Sequence, residues 1–242
     1  MKFLSYLPHT RLDAIKELPD VVFFDYDGTI NDNDKYILKA IKYIVNKNLK
    51  KKDIKAISKI KGDSEKWAYI KQNCEKDVFE KCNYDYDEYL NRQKIVLKRS
   101  VVKLIKLFYK YDKKMIVVSQ KCGDGLRSDL KKIGLDKYFD GVFGTLDIGM
   151  LQKPSKEFLD EVRRITKTKT KSCWVIGDRK SDVITALNIE GKAFIIGKND
   201  VLKIREEYDD LIGKDIFFTS YKKLIKLAKK LKRIESKIVN IE

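Results

Sequence analysis

The sequence predicts an α/β fold: a core built on a parallel sheet with helices on both faces, interrupted after its first strand by an inserted helical segment. Three observations point there. Short apolar runs of strand length end on polar groups, with Val21 to Phe24 running into Asp25, Met115 to Val118 into Ser119, and Trp174 to Ile176 into Gly177-Asp178. From Ser100 onward such runs alternate with amphipathic stretches, as crossover helices between parallel strands require. Between about Asn31 and Arg99 apolar residues recur only at three-to-four spacing, as in Tyr36-Ile37, Ala40-Ile41 and Ile44-Val45, which is helical periodicity without a strand.

Taken in order, Thr10 to Glu17 reads as a polar helical lead-in, and Pro19-Asp20 introduce a strand over Val21 to Tyr26. The insert carries helical stretches near Asp53 to Ile60, Ser64 to Cys74 and Tyr84 to Leu97. A helix over Val101 to Tyr109 then leads to the strand Met115 to Val118, and a helix over Gly125 to Ile133 to a short strand Gly141 to Phe143. Pro154 suits the first turn of a helix over Ser155 to Ile165. Strand Ser172 to Ile176, helix Ser181 to Asn188, strand Lys192 to Ile196 and strand Ile216 to Phe218 complete a Rossmann-like sheet. Ser220 to Ile234 reads as a basic amphipathic helix with Leu224, Leu227, Ala228 and Leu231 on one side; it suits a membrane surface or an acidic partner, and the favoured reading is packing on the sheet with a solvated lysine face. The expected division is a core of residues 1–30 and 100–242 with a helical cap of residues 31–99.

Composition narrows the function. At 242 residues and 43% apolar, the chain suits a core domain with a smaller insert. No apolar run approaches the roughly 18 residues of a membrane span. Pro8, His9 and Arg11 break any signal-peptide core, so a cytoplasmic location is expected. Cys74, Cys82, Cys122 and Cys173 lack C-x-x-C spacing, which argues for reduced, mostly buried thiols over zinc or redox pairs. The sole histidine, His9, precedes every strand-end group, which removes multi-histidine metal sites and disfavours a Ser-His-Asp triad. The formal charge of +17 invites a nucleic-acid partner. Lysines are interleaved with acids along nearly the whole chain, however, so a general positive field attracting an anionic substrate is the favoured reading.

The strand-end groups are chemically coherent. Asp25 and Asp27, one residue apart, share a face of a strand until Gly28 turns the chain. One such carboxylate can attack an electrophile while the other moves a proton; alternatively Asp27-Gly28 merely suits a turn. Asp178 and Asp182 offer hard oxygen ligands for Mg²⁺ across a strand-to-helix junction, where helix capping accounts for one acid better than for two. Ser119 can donate to a phosphoryl oxygen, and Lys153 can neutralise phosphate charge.

Asp25-Tyr26-Asp27-Gly28-Thr29, Ser119, Lys153-Pro154 and Gly177-Asp178-x-x-x-Asp182, in that order, resemble the four motifs of the haloacid dehalogenase superfamily. More narrowly, the chain is similar to phosphoglycolate-phosphatase-like members with a helical cap between the first and second motifs. The resemblance implies a phosphatase with Asp25 as nucleophile and Asp27 as general acid and base. It implies that Ser119 and Lys153 bind the phosphoryl group of a small phosphorylated substrate. Mg²⁺ would be held by Asp25, Asp178, Asp182 and the main-chain carbonyl of Asp27. The presence of Asp27 favours phosphate over carbon-halogen chemistry. Trp67, Tyr69, Tyr84, Tyr86 and Tyr89 in the insert match no specificity pattern and read as helix packing, and Gly62-Asp63 is a candidate substrate-contacting loop. The alternatives are a nucleotide or polynucleotide-end phosphatase, and a nucleic-acid or acidic-partner binding protein with a degenerate site.

Overall fold

Six parallel strands form one sheet in the computed structural model, which describes residues 10–60, 63–169, 172–197 and 200–239. They are β1 (Val21–Phe24), β2 (Lys114–Cys122), β3 (Gly141–Thr145), β4 (Cys173–Gly177), β5 (Lys192–Ile196) and β6 (Ile216–Thr219). Their order is β3-β2-β1-β4-β5-β6. The chain winds outward from β1 to β3, then returns to β4 and winds outward to β6. The boundary between β1 and β4 is therefore the topological switch point, where the crossovers diverge and leave the carboxyl ends of the strands open.

Helix formation follows the apolar spacing: α1 (Asp34–Asn48), α2 (Lys51–Ile57), α3 (Asp63–Asn73) and α4 (Lys76–Asn91) precede α5 (Arg99–Lys110) and α6 (Gly123–Lys132). After β3 come α7 (Lys156–Ile165), α8 (Lys180–Asn188), α9 (Val201–Tyr208) and α10 (Tyr221–Val239).

Alternation along each strand divides the core into two faces. Val22, Phe24, Met115, Val117, Trp174, Ile176, Phe194 and Phe217 face α5, α6 and α10, which bury Leu104, Phe108, Leu130, Leu224 and Leu231 against them. Val21, Phe23, Ile116, Val118, Val175, Ala193, Ile195 and Phe218 face the other way, toward Phe158, Leu159 and Val162 of α7, Val183 of α8 and Ile204 of α9. Burial on both sides explains why the central strands read as unbroken apolar runs. On the first face Phe108 meets Phe24 and Trp174 edge-on at 6.5 and 6.0 Å, and Phe194 stacks on Phe217 at 5.3 Å.

The described residues divide into two compact units, Asn33–Val96 and the remainder of the chain on either side of it. The Asn33–Val96 unit has its own core of Ile37, Ile41, Ile44, Ile57, Ile70 and Cys82. Trp67 presents its ring to the edges of Phe79 and Tyr86 at 6.2 and 5.1 Å, so two of the five insert aromatics are consumed by packing. Tyr69 also packs on this core, Tyr89 lies 5.3 Å from Tyr43, and Tyr84 is exposed. No described helix is long and apolar enough to cross a membrane. None of the four cysteines is in a disulfide, and burial pushes the Cys82 and Cys173 thiols up to about 11, which makes them unreactive.

The structure departs from the expected elements in several places. The insert helix expected over Tyr84 to Leu97 is α4, shifted toward the amino terminus to Lys76–Asn91; β2 continues past Val118 through Ser119 to Cys122 across a register shift; and Pro154 precedes α7, whose N-cap is Ser155, instead of lying in its first turn. Thr10 to Glu17 forms turns instead of a helix. Its Thr10 N–H donates to the Phe218 carbonyl and its Oγ1 accepts from the Phe218 N–H, both at 3.0 Å, while Ile15 and Leu18 sink into the core, so tertiary contacts override weak helical periodicity. The first strand ends at Phe24, because Tyr26 accepts turn hydrogen bonds from Thr29 and Asn31. Helix α9 was not anticipated, since its eight residues carry little amphipathic pattern. His9 and Gly62 lie outside the described residues.

Candidate active site

The sheet register sets the site. Phe24 pairs with Val117 on one side and Ile176 on the other, so one residue further Asp25 stands level with Val118 and Gly177, just before Ser119 and Asp178. The Asp25 N–H donates to the Ile176 carbonyl at 2.9 Å, which carries the ladder to the last residue. Lys153 arrives from the segment after β3, preceding a cis peptide to Pro154. That segment is held by Gln120 Nε2 donating to the Lys153 carbonyl at 3.3 Å and Asn188 Nδ2 donating to the Pro154 carbonyl at 2.8 Å.

Five of the six residues singled out from the sequence are buried at these strand ends: Asp25, Ser119, Lys153, Asp178 and Asp182. Lys153, only 1% exposed, donates from Nζ to Asp25 Oδ1 at 2.8 Å, to the Val118 carbonyl at 3.4 Å, and to Asp182 Oδ1. The other oxygen of Asp182 accepts the backbone N–H groups of Asp178 and Arg179, both at 2.9 Å, which fixes the turn between β4 and α8. Asp182 thus serves as both the capping partner of α8 and a neighbour of the lysine. Ser119 Oγ accepts the Lys121 N–H at 3.1 Å. Asp27 is less buried, and its carboxylate stands outside the acidic cluster.

Carboxylate oxygens of Asp25, Asp178 and Asp182 lie within 4.8 Å of one another. Two of these buried acids, Asp25 and Asp182, share Lys153, and the Arg179 guanidinium lies 3.8 Å from Asp178. Burial raises the Asp25 carboxyl well above its usual range; Lys153 opposes this, while Asp182 and Asp178 reinforce it. Burial disfavours the Lys153 ammonium, yet Asp182 and Asp25 outweigh it and hold the group charged. An all-oxygen donor set with surplus negative charge fits a hard dication such as Mg²⁺.

Gly28 is required by the turn that follows Asp25. Its φ is +80°, its N–H donates to the Asn31 carbonyl at 2.8 Å, and a Cβ there would stand 2.5 Å from Asp178 Oδ2. Gly28→Ala is expected to cost about 1–3 kcal/mol of stability through the strained φ and to lower turnover at least roughly tenfold by displacing Asp178. Chemical denaturation and steady-state rates check both effects.

Several supporting residues were not legible in the sequence. Tyr221, the first residue of α10, is buried and donates its hydroxyl to the Thr29 carbonyl at 2.8 Å, bracing the Asp27-Gly28-Thr29 turn. Tyr26 donates to Asp129 Oδ2 at 3.2 Å, and Lys121 pairs with the same carboxylate at 3.3 Å. Arg127 grips Asp147 with two hydrogen bonds of 2.8 Å, and the Gly144 N–H joins at 2.7 Å, clasping the end of β3 to α6. Burial pushes the Asp147 carboxyl up, but these bonds together hold it below its ordinary value. Tyr221 lies 192 residues from Thr29, and no spacing rule connects them.

The model of the haloacid dehalogenase-like hydrolase family matches residues 22–196, which contain all four motifs. The chain belongs to the haloacid dehalogenase-like hydrolases. Within this family its relatives include a PpaX from Caldanaerobacter subterraneus subsp. tengcongensis, 29% identical over 168 residues, covering 68% of this chain and 76% of the relative. The pyrophosphatase PpaX of Halalkalibacterium halodurans is 24% identical over 184 residues, covering 74% and 83%. Among solved structures, a predicted phosphatase from Clostridium acetobutylicum superposes with a TM-score of 0.69 at 21% identity. That superposition covers 90% of this chain and all of the other (100%). The likeness establishes the Rossmann-like haloacid dehalogenase fold.

Proposed function

We propose that the protein is a Mg²⁺-dependent phosphomonoester hydrolase acting on a small phosphorylated metabolite through an aspartyl-phosphate intermediate. The observation that carries this reading is the buried Asp25, Asp178 and Asp182 cluster, with Lys153 bridging Asp25 and Asp182, at the switch point of the sheet. Phosphoryl transfer needs in-line positioning and neutralisation of the equatorial oxygens, and this arrangement suits both needs.

In this reading an Asp25 carboxylate oxygen attacks phosphorus, the bond from phosphorus to the leaving oxygen breaks, and Asp27 gives that oxygen its proton. Water then attacks the phosphorus of the aspartyl phosphate. Asp27 takes up the water proton, the acyl-phosphate bond breaks toward Asp25, and inorganic phosphate leaves. Lys153 and Ser119 bind the transferring oxygens. Asp25, Asp178, Asp182 and the Asp27 carbonyl are the residues that would hold Mg²⁺, which supplies charge neutralisation and lowers the barrier to attack by an anionic nucleophile. Asp182 also orients Lys153 and the turn carrying Asp178. The catalytic core in this reading is the unit outside Asn33–Val96, and the four-helix unit is the cap.

The relatives carrying the PpaX name place pyrophosphate on the panel beside sugar phosphates, phosphoglycolate and nucleotides. A phosphate-release screen over that panel is expected to give turnover with Mg²⁺ and none after chelation by EDTA, with full recovery on adding Mg²⁺ back. Turnover that persists in EDTA, or a panel with no substrate including a generic aryl phosphate, contradicts the proposal.

A further inference from the structure

Two helices distant in sequence assemble a surface that the charge pattern of the chain conceals. The chain as a whole carries 36 acids for its 53 cations. Helix α5 carries Arg99, Lys103, Lys106 and Lys110 and no acid. Helix α10 carries seven lysines and Arg233 against Glu235 alone. The two helices pack side by side on the same face of the sheet, with Leu104, Phe108, Leu224, Ala228 and Leu231 buried. Their apolar residues being spent on the core, they turn outward exposed cations at three-to-four spacing: Arg99, Lys103, Lys106 and Lys110 on α5, and Lys222, Lys226, Lys229, Arg233 and Lys237 on α10. Where they meet, Lys110, Tyr111, Lys229, Lys232, Arg233 and Lys237 line a groove of about 610 Å³.

We propose that this groove binds the phosphodiester backbone of single-stranded nucleic acid, independently of the phosphatase centre. Like charges held this close repel one another, and a polyanion with regularly spaced charges relieves the repulsion while releasing its own counterions. A groove, even an open one, seats a flexible strand more readily than a flat bilayer. A membrane-surface helix must also expose an apolar face, and of the apolar residues on α10 with described side chains only Ile234 is exposed. An aromatic ring in the wall favours nucleic acid over an acidic protein: Tyr111 lines the groove with the Lys232 ammonium 5.8 Å from its ring centroid, so a base entering there meets a ring and a cation together.

The test is fluorescence anisotropy of the full chain with a single-stranded RNA of about 16 nucleotides, a length within the range of such grooves. The RNA carries hydroxyls at both ends, so it offers the phosphatase no monoester. Binding is expected to weaken roughly 100-fold between about 50 and 200 mM salt, as five groove cations imply for a single strand. The charge reversal Lys229→Glu/Lys232→Glu/Arg233→Glu is expected to weaken binding at least roughly thirtyfold while leaving hydrolysis of an aryl phosphate unchanged. Lys50→Glu/Lys51→Glu/Lys52→Glu makes the same change in net charge at exposed positions on the other unit, and is expected to alter binding less than about threefold. Equal losses in the two variants would mean a diffuse positive field and overturn the proposal. So would absence of RNA binding, or capture of phosphatidylserine vesicles or poly-glutamate as tightly as RNA.

Discussion

Asp25→Asn is expected to reduce Mg²⁺-dependent phosphate release by at least about 10³-fold, the scale on which loss of a covalent nucleophile acts. The fold should survive. Asn keeps a carbonyl oxygen to accept from Lys153, and it removes one of three carboxylates whose burial together is unfavourable. Its thermal midpoint without metal is therefore expected to equal or exceed that of the wild type. The pairing of the two outcomes is the informative part: inactivity with an intact or raised midpoint marks a chemical role, whereas inactivity with a lowered midpoint marks a structural one. Trapping of acid-stable phosphate on the wild type but not on the variant contradicts nothing here, while retained turnover in Asp25→Asn removes the assignment.

Lys153→Met is expected to be the most damaging single change to stability in the site, at about 3–5 kcal/mol, because it leaves buried carboxylates without their cation. Lys153 is 1% exposed and touches Asp25, Asp182 and the Val118 carbonyl at once, so no water or nearby side chain substitutes for it. The loss should depend on pH in a definite direction. Asp25 already has a raised carboxyl pKa, and removing Lys153 takes away the interaction that opposes the rise. A group whose folded-state pKa is raised contributes its stability below the unfolded value and loses it as pH rises through the folded value. The deficit of Lys153→Met should accordingly be smaller near pH 5 than near pH 8. Urea unfolding at the two pH values measures this, and a deficit that grows toward acid rejects the electrostatic account. Lys153→Arg is expected to rescue poorly, since a planar guanidinium does not fit a site enclosing a compact ammonium.

Most of the sheet was legible because its strands are buried on both faces. Val21 to Phe24, Met115 to Val118 and Lys192 to Ile196 contain no polar residue that could face water apart from the terminal Lys192, so apolar runs of that length between helices have few other uses. The lead-in Thr10 to Glu17 failed for the opposite reason: its local preference is weak, and a pair of hydrogen bonds to Phe218 decides its conformation. Helix α9 escaped because propensity alone, without a clear apolar stripe, leaves a short helix indistinguishable from a loop.

Sequence alone determined the α/β class, the order of the strand-end groups and the residue types that meet: carboxylates, a lysine and a serine at the ends of buried strands. These follow from local rules, since a parallel strand delivers its last residue to the carboxyl edge of the sheet whatever surrounds it. Only the tertiary structure decided which groups touch. It gave Asp182 two tasks through its two oxygens, brought Tyr221 to the Thr29 carbonyl, and laid α10 beside α5. That last juxtaposition changes the reading of the net charge. Along the chain lysines alternate with acids, but packing selects two helices that carry almost none of the acids and sets their cations side by side. Electrostatic potential depends on distance in space, and sequence separation carries little of that information.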